Sequence, residues 1–345
     1  MKKLLKNYKI FCLILCILLL ICSTFAVTIG SVSLKGTDVW KIIVNKGSGK
    51  EIFHREWKSS IEIIVWNLRV PRVIMGMAAG GALALVGILM QCLTKNPLAS
   101  PYILGISAGA STGAVMAILF LGGTMFSVPM GAFIFGTLTA FIVFYFAGAG
   151  GFSSTRLVLI GVAVSSLFSG ITTLMIMMAP NEKELRGAVF WMSGSFSGAN
   201  WKYIPFTLIS LGISFLIVYP KYRELNILVT GDENAVALGV DVKKIRLMIV
   251  LVSTFLTGVI VSNTGIIGFV GLVIPHVTRG IIGGNHKKVI PCAILMGGVF
   301  LVLADTITRS LFVSQEIPIG VITSMFGAPF FLNMLRKKAY RFGGE

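Results

Sequence analysis

One group of residues in this chain has types and spacing suited to recognition chemistry: an acidic island bracketed by glycines, GDENAVALGV at 231–240. In the island, Thr230 precedes Glu233 by three residues, the pattern of a capping box, and Asp232 and Glu233 suit the positive end of a helix dipole. Gly239 supplies a left-handed stop. The pattern predicts a two-turn helix over 231–238, with Ala235, Val236 and Leu238 on an apolar side too small to make a core. Asp241 caps a further helix running through Lys243, Lys244 and Arg246. A loop between two long helices has no need of a defined, exposed helix, so the island reads as a docking handle for a soluble partner. Asp305, four residues before Arg309, lies on the same helix face and can neutralise it.

Other chemistry is poorly supported. Gly49-Lys50 has no glycine five residues upstream and is followed by Glu51, so no phosphate-binding loop is present and the chain has no evident means of hydrolysing ATP. The five cysteines (Cys12, Cys16, Cys22, Cys92, Cys292) lie in or beside apolar runs without paired loop spacing, which argues against a disulfide framework or a zinc site. They read as packing residues. His276 and Arg279 sit near His286 and Lys287, but no carboxylate or further histidine stands at metal-ligand spacing, so no metal or bound cofactor is expected. Basic residues are scattered in small clusters without an aromatic-basic platform, so the net charge of +17 does not point to nucleic acid.

The elements that position these residues are membrane helices. Of 345 residues, 55% are hydrophobic and 12% charged, and the mean hydropathy of +0.90 exceeds what a soluble core requires. A helix needs about 20 apolar residues to cross the ~30 Å hydrocarbon layer, and reading the apolar runs on that basis gives about ten spans. They fall at 10–29, 73–92, 100–121, 126–146, 157–178, 204–219, 247–264, 268–282, 289–303 and 317–335. Glycine and proline interrupt the pattern at 105–113, 265–275 and 304–318. Lys2, Lys3, Lys6 and Lys9 at one terminus, and Arg336, Lys337, Lys338 and Arg341 at the other, put both ends in the cytoplasm by the positive-inside rule. An even number of crossings follows. Threading the chain from inside places the basic excess in cytoplasmic loops and all five tryptophans in outward segments, where they suit interfacial anchoring.

The expected organisation is one transmembrane domain over 1–345, all-α and polytopic, with an extracytoplasmic loop at 30–68, partly helical from 37 to 44, and a cytoplasmic loop at 220–246. The start resembles a signal peptide, but no small-residue cleavage site follows and the apolar run continues to Ile29, so it reads as a retained first helix. Gly76 with Gly80, and Gly105, Gly109 and Gly113, have the spacing that lets helix backbones approach closely; packing within one bundle and a dimer seam both fit. Gln91 and Asn96, flanking an inner turn, are expected to satisfy backbone groups. Ser153, Ser154 and Thr155 precede the fifth span, where helix capping would account for them.

Six stretches in order carry a family resemblance: LRVPR (68–72), GALALVGILMQCLTKNPLASPYILGISAGAS (80–111), GDENAVALGV (231–240), GIIGFVGLVIPHVTRG (265–280), LADTITR (303–309) and EIPIGVITSMFGAPFF (316–331). The chain resembles a FecCD-type permease, the membrane subunit of ATP-binding-cassette importers for iron-siderophores, haem and cobalamin. The resemblance runs from about residue 60 to the C-terminal helix. It implies a ten-helix, type II importer permease in a bacterial plasma membrane, paired with a second copy or close paralogue and leaving the substrate path at the seam. Two cytoplasmic ATPase subunits would supply the energy, using ATP and Mg, and an extracytoplasmic substrate-binding lipoprotein would deliver the cargo. By the same resemblance Gly231, Asp232, Glu233, Ala235, Leu238 and Gly239 form the coupling helix that seats in the ATPase. Arg69, Arg72 and Arg309 receive acidic residues of the binding protein, and Ser153, Ser154 and Thr155 lie at the cytoplasmic gate. An iron-siderophore is the expected cargo, with haem or cobalamin as alternatives. An ion-coupled secondary transporter is the rival class; it would want an ionisable residue near the bilayer midplane, for which Asp305 is the available carboxylate.

Overall fold

The computed structural model describes residues 7–30, 32, 34–148, 153–311 and 316–336. The terminal basic residues Lys2, Lys3, Lys6, Lys337, Lys338 and Arg341 lie outside them. Among the described residues the regular elements are all helical. Seven helices are long and apolar enough to cross a membrane, and three shorter apolar helices accompany them. The expectation of about ten crossings is therefore met by length in seven.

In chain order the helices are α1 (Tyr8–Thr28), α2 (Gly36–Ser48), α3 (Ser59–Ile63), α4 (Val70–Thr94), α5 (Ile106–Phe120), α6 (Ser127–Gly148), α7 (Ser154–Met177) and α8 (Glu182–Met192). There follow α9 (Ile204–Val218), α10 (Tyr222–Leu228), α11 (Asp232–Ala237), α12 (Val242–Thr264), α13 (Val270–Ile282), α14 (His286–Leu311) and α15 (Ile319–Arg336). A π-helical turn, Ile64–Arg69, joins α3 to α4. Pro71 has no N–H for the ladder, and Val70 N reaches back five residues to Val65 O, so the chain enters α4 through a wider turn.

Helix α4 is the axis of the bundle. In the span that contains it, Ser59–Thr94, 89% of the most apolar window is buried, against 22% for α7 and 28% for α1. The protein thus has a dry centre and several helices whose large side chains, such as Leu167 and Met177 on α7, face outward. Such faces meet lipid or another membrane helix.

Close helix crossings account for the glycine spacing. A Cβ on Gly80 would lie 2.1 Å from Gly297 O on α14, and one on Gly113 would lie 2.1 Å from Gly131 O on α6. Both glycines are therefore committed to packing within the chain. A Cβ on Gly76 would find ordinary van der Waals space, 3.5 Å from the Phe196 ring.

The interrupted segments are satisfied internally, as a low-dielectric surrounding demands. Tyr102, in a short 3-10 turn Pro101–Leu104, donates its hydroxyl to Ile267 O at 2.8 Å and accepts from Ile267 N at 3.1 Å. Gly265 ends α12 at φ 66, and Ser195 N donates to Thr264 O at 2.8 Å. Gln91 donates towards Gly271 O and Leu272 O, and Asn96 Oδ1 accepts from Leu98 N, both in the backbone role expected of them.

Two sequence expectations need correction. The break anticipated at 304–318 begins too early, because α14 runs on to Leu311. Asp305 and Arg309 look like the polar end of a span, yet they pair with each other at 3.0 Å inside the helix. Helix α8 was not anticipated: its sequence is too polar for a span, although Asn181 Oδ1 caps it by accepting from Glu184 N at 3.0 Å.

Candidate functional site

The contacts between loops segregate into two opposite ends of the bundle, each holding one group of candidate residues. One end gathers the turn after α4, the start of α7, the 220–246 loop and the start of α14. The other gathers the end of α1, the π turn, the end of α14 and the residues before α15.

At the first end, α11 is a six-residue helix. The expected capping box does not form, because Thr230 Oγ1 donates to Ile227 O at 2.8 Å and the N-cap is Gly231, at φ 128. Only a glycine takes that backbone without strain. The C-terminal stop is as expected: Gly239 is left-handed at φ 78, with Val240 N on Ala235 O and Gly239 N on Val236 O, both at 2.9 Å. These two bonds are the Schellman pair.

The six island residues divide between anchoring and display. Ala235 is fully buried, in one apolar cluster with Leu225, Leu228 and Ile245. Asp232 pairs with Lys95 at 2.9 Å and with Arg246 at 2.5 Å. Lys95 is the left-handed C-cap of α4 and Arg246 lies in the second turn of α12, so one carboxylate ties the small helix to two core helices. Burial pushes the Asp232 carboxyl up, but the opposing hydrogen bond from Lys95 and the Arg246 charge outweigh it and hold the group below its ordinary range. Glu233 and Gly239 are exposed, and Val236 and Leu238 stand 65% and 66% exposed. Anchored on one side, α11 presents an acidic and apolar face to its surroundings.

The neighbouring triplet at the head of α7 has little of its own chemistry. Ser153 is the N-cap residue but makes no side-chain cap bond. Ser154 Oγ donates to Leu93 O at 3.2 Å, linking α7 to the last turn of α4. Ser153 and Thr155 are exposed.

At the opposite end the three arginines converge, but they do not share one role. Arg69 is buried, at 5% exposure, and donates to Val27 O, Thr28 O and Val32 O at 2.9, 2.7 and 2.5 Å. Its guanidinium takes up the carbonyls that end α1, and a side chain at Gly30 would collide with it. The expectation that Arg69 offers itself to a partner's carboxylate is not met by this placement. Arg72 reaches Asp305 from Nε at 2.9 Å and Nη2 at 2.8 Å, and its Nη1 meets Glu316. Arg309 pairs with the same Asp305 and donates to Ala26 O at 3.0 Å. The group borders a cavity of about 360 Å³ that also touches Ser197 and Glu316. Three positive charges against two negative ones leave the mouth of that cavity net positive. Sequence reasoning missed Glu316, although it heads the last of the six motifs; nothing in its spacing couples it to Arg72.

Among the described residues no cluster of three metal-ligating side chains occurs.

Comparison with known proteins gives a consistent result. A protein-family model, the FecCD transport family, matches residues 17–337. The cobalamin import system permease protein BtuC of Halobacterium salinarum is 38% identical, over 81% of this chain and 75% of its own length. The Fe(3+)-citrate import system permease protein YfmD of Bacillus subtilis is 36% identical, over 81% of this chain and 84% of its own. A solved structure described as a metal-chelate type ABC transporter, in an inward-facing conformation, superposes with a TM-score of 0.82 at 31% identity, covering 96% of this chain and 100% of that one.

Proposed function

Because the chain belongs to the FecCD transport family, we propose that it is the membrane permease subunit of an ATP-driven importer for iron-siderophore complexes, coupled to its ATPase through α11. The observation that carries the coupling is the division of labour in that helix. Asp232 and Ala235 fasten it to α4, α10 and α12, while Glu233, Val236 and Leu238 remain uncovered. A force applied to the uncovered face reaches the core helices through two ion pairs and one packed methyl.

On this reading both termini and the 220–246 loop lie in the cytoplasm, and two separate ATPase subunits use ATP and Mg. The chain has no phosphate-binding loop with which to do so itself. A second copy or close paralogue supplies the other wall of the path. The barely buried faces of α1, α7 and α9 leave ample apolar surface for that contact and for lipid. Ser153, Ser154 and Thr155 stand where the path would open inward, with Ser154 linked to α4.

At the outer mouth, an extracytoplasmic binding lipoprotein would dock by carboxylates aimed at Arg72 and Arg309. Arg69 is assigned instead to holding the end of α1. Docking at Arg72 means competing with Glu316, which already occupies the outer edge of its guanidinium. Transport proceeds by alternating access, with no covalent chemistry on the cargo. The ion-coupled rival is disfavoured because Asp305, the carboxylate it would need, is engaged by two guanidinium groups.

The test is uptake of radiolabelled ferric siderophores, haem and cobalamin by cells with and without this chain, repeated with the partner ATPase inactivated. Loss of ferric-siderophore uptake in both cases is expected. Uptake that survives loss of the ATPase would overturn the ATP-driven reading, and loss of haem or cobalamin uptake alone would reassign the cargo.

A further inference from the structure

The transport reading makes no use of the cysteines, yet two of them meet. Cys12 on α1 and Cys292 on α14 come from opposite ends of the sequence, and their Sγ atoms are 3.3 Å apart. Cys292 is buried, Cys12 is partly exposed, and Cys16, one turn further along α1, is exposed. Both sulfurs lie within two turns of the ends of their helices that neighbour the coupling loop.

We propose that Cys12 and Cys292 form an oxidisable thiol pair whose closure to a disulfide locks α1 onto α14. A disulfide bond is about 2.05 Å long, so the sulfurs must approach by roughly 1.3 Å. The expected oxidant is a small peroxide. The Cys12 thiolate attacks one peroxide oxygen, giving a sulfenic acid and hydroxide. The Cys292 thiolate then displaces the sulfenic oxygen as hydroxide, forming the S–S bond. Each hydroxide takes up one of the two thiol protons, so two thiols and one hydrogen peroxide give one disulfide and two waters. Cys12, the more accessible sulfur, is oxidised first, and the buried Cys292 resolves it.

The consequence follows from how α1 is held. Little of α1 is buried, and at its far end Arg309 of α14 donates to Ala26 O and Ile29 O. A bond between Cys12 and Cys292 would fasten the near end to the same helix, making α1 and α14 one rigid unit.

The test uses the full-length protein in liposomes, treated with hydrogen peroxide, alkylated with N-ethylmaleimide and digested without reduction for mass spectrometry. A peptide linking Cys12 to Cys292 is expected, with both residues lost from the alkylated pool and recovered by dithiothreitol. Cys16→Ser should leave this unchanged. Cys292→Ser, checked for an unaltered elution volume, should leave Cys12 as a sulfenic acid that dimedone traps. Full alkylation of Cys12 and Cys292 after peroxide, or a linked peptide joining Cys12 to Cys16 or to a second copy, would overturn the proposal.

Discussion

Arg72 and Asp305, 233 residues apart in sequence, form a partly buried ion pair in which Arg72 Nε lies 2.9 Å and 3.1 Å from the two carboxylate oxygens. Arg309 adds a second guanidinium to the same carboxylate. Removing one partner from such a group leaves an uncompensated charge in a poorly solvated place. Asp305→Ala is therefore expected to cost about 3–5 kcal/mol. Thermal unfolding in detergent would read this as a large loss, and the double variant Arg72→Leu with Asp305→Leu should lose less than the sum of the two single changes.

Arg69 and Arg72 should separate experimentally although they sit in one motif. Arg69→Gln strands carbonyls of Val27, Thr28 and Val32 and is expected to cost about 1–3 kcal/mol of stability, with docking of the binding protein unchanged. Glu316→Gln, which frees the outer edge of Arg72, should strengthen docking, and Arg72→Gln should weaken it. Both docking effects should shrink as salt rises. Surface-plasmon titration of the lipoprotein at two ionic strengths would decide it; a docking loss in Arg69→Gln would return that residue to the interface.

The depressed carboxyl of Asp232 has a defined pH signature. A group whose folded pKa lies below its ordinary value of about 3.9 stabilises the fold above that value and loses the contribution as pH falls through the folded one. Amide-exchange protection at 232–240, corrected for intrinsic rates, should be level from roughly pH 5 to 8 and fall only in stronger acid. Asp232→Asn should weaken it across the whole range. A change centred near neutral pH would show that another group controls the anchor.

The crossing of α4 and α14 sets a steric limit. Gly80→Val places a side chain against Gly297 O, and overpacking of this kind typically costs about 1–3 kcal/mol. Gly76→Ala, with ordinary space around its Cβ, should change the unfolding midpoint little.

Most of the helical framework was legible in the sequence because membrane spans announce themselves by length and apolarity, and glycines such as Gly105 and Gly239 mark real left-handed turns. Polar residues that neutralise each other misled it. Asp305 and Arg309 imitate the end of a span, and Thr230 imitates a cap while its hydroxyl is spent one turn back, on Ile227 O. The short helix before Gly239 was readable because its signals are local, and its glycine stop forms as expected. The arginine cluster was only half readable, since the carbonyls that occupy Arg69 and the carboxylate that meets Arg72 come from segments far away in sequence, and no spacing rule connects them.

On the proposed function, the exposed face of α11 seats in a cytoplasmic ATPase while its other face stays fastened to the bundle. The most direct measurement is co-purification of the partner ATPase with the variant Glu233→Lys plus Leu238→Asp, together with ferric-siderophore uptake and membrane content of the permease. Normal membrane content is expected, with at least a tenfold loss of bound ATPase, in line with a penalty of about 1.4 kcal/mol or more, and no uptake. Normal ATPase binding and normal uptake by that variant would contradict the proposed function.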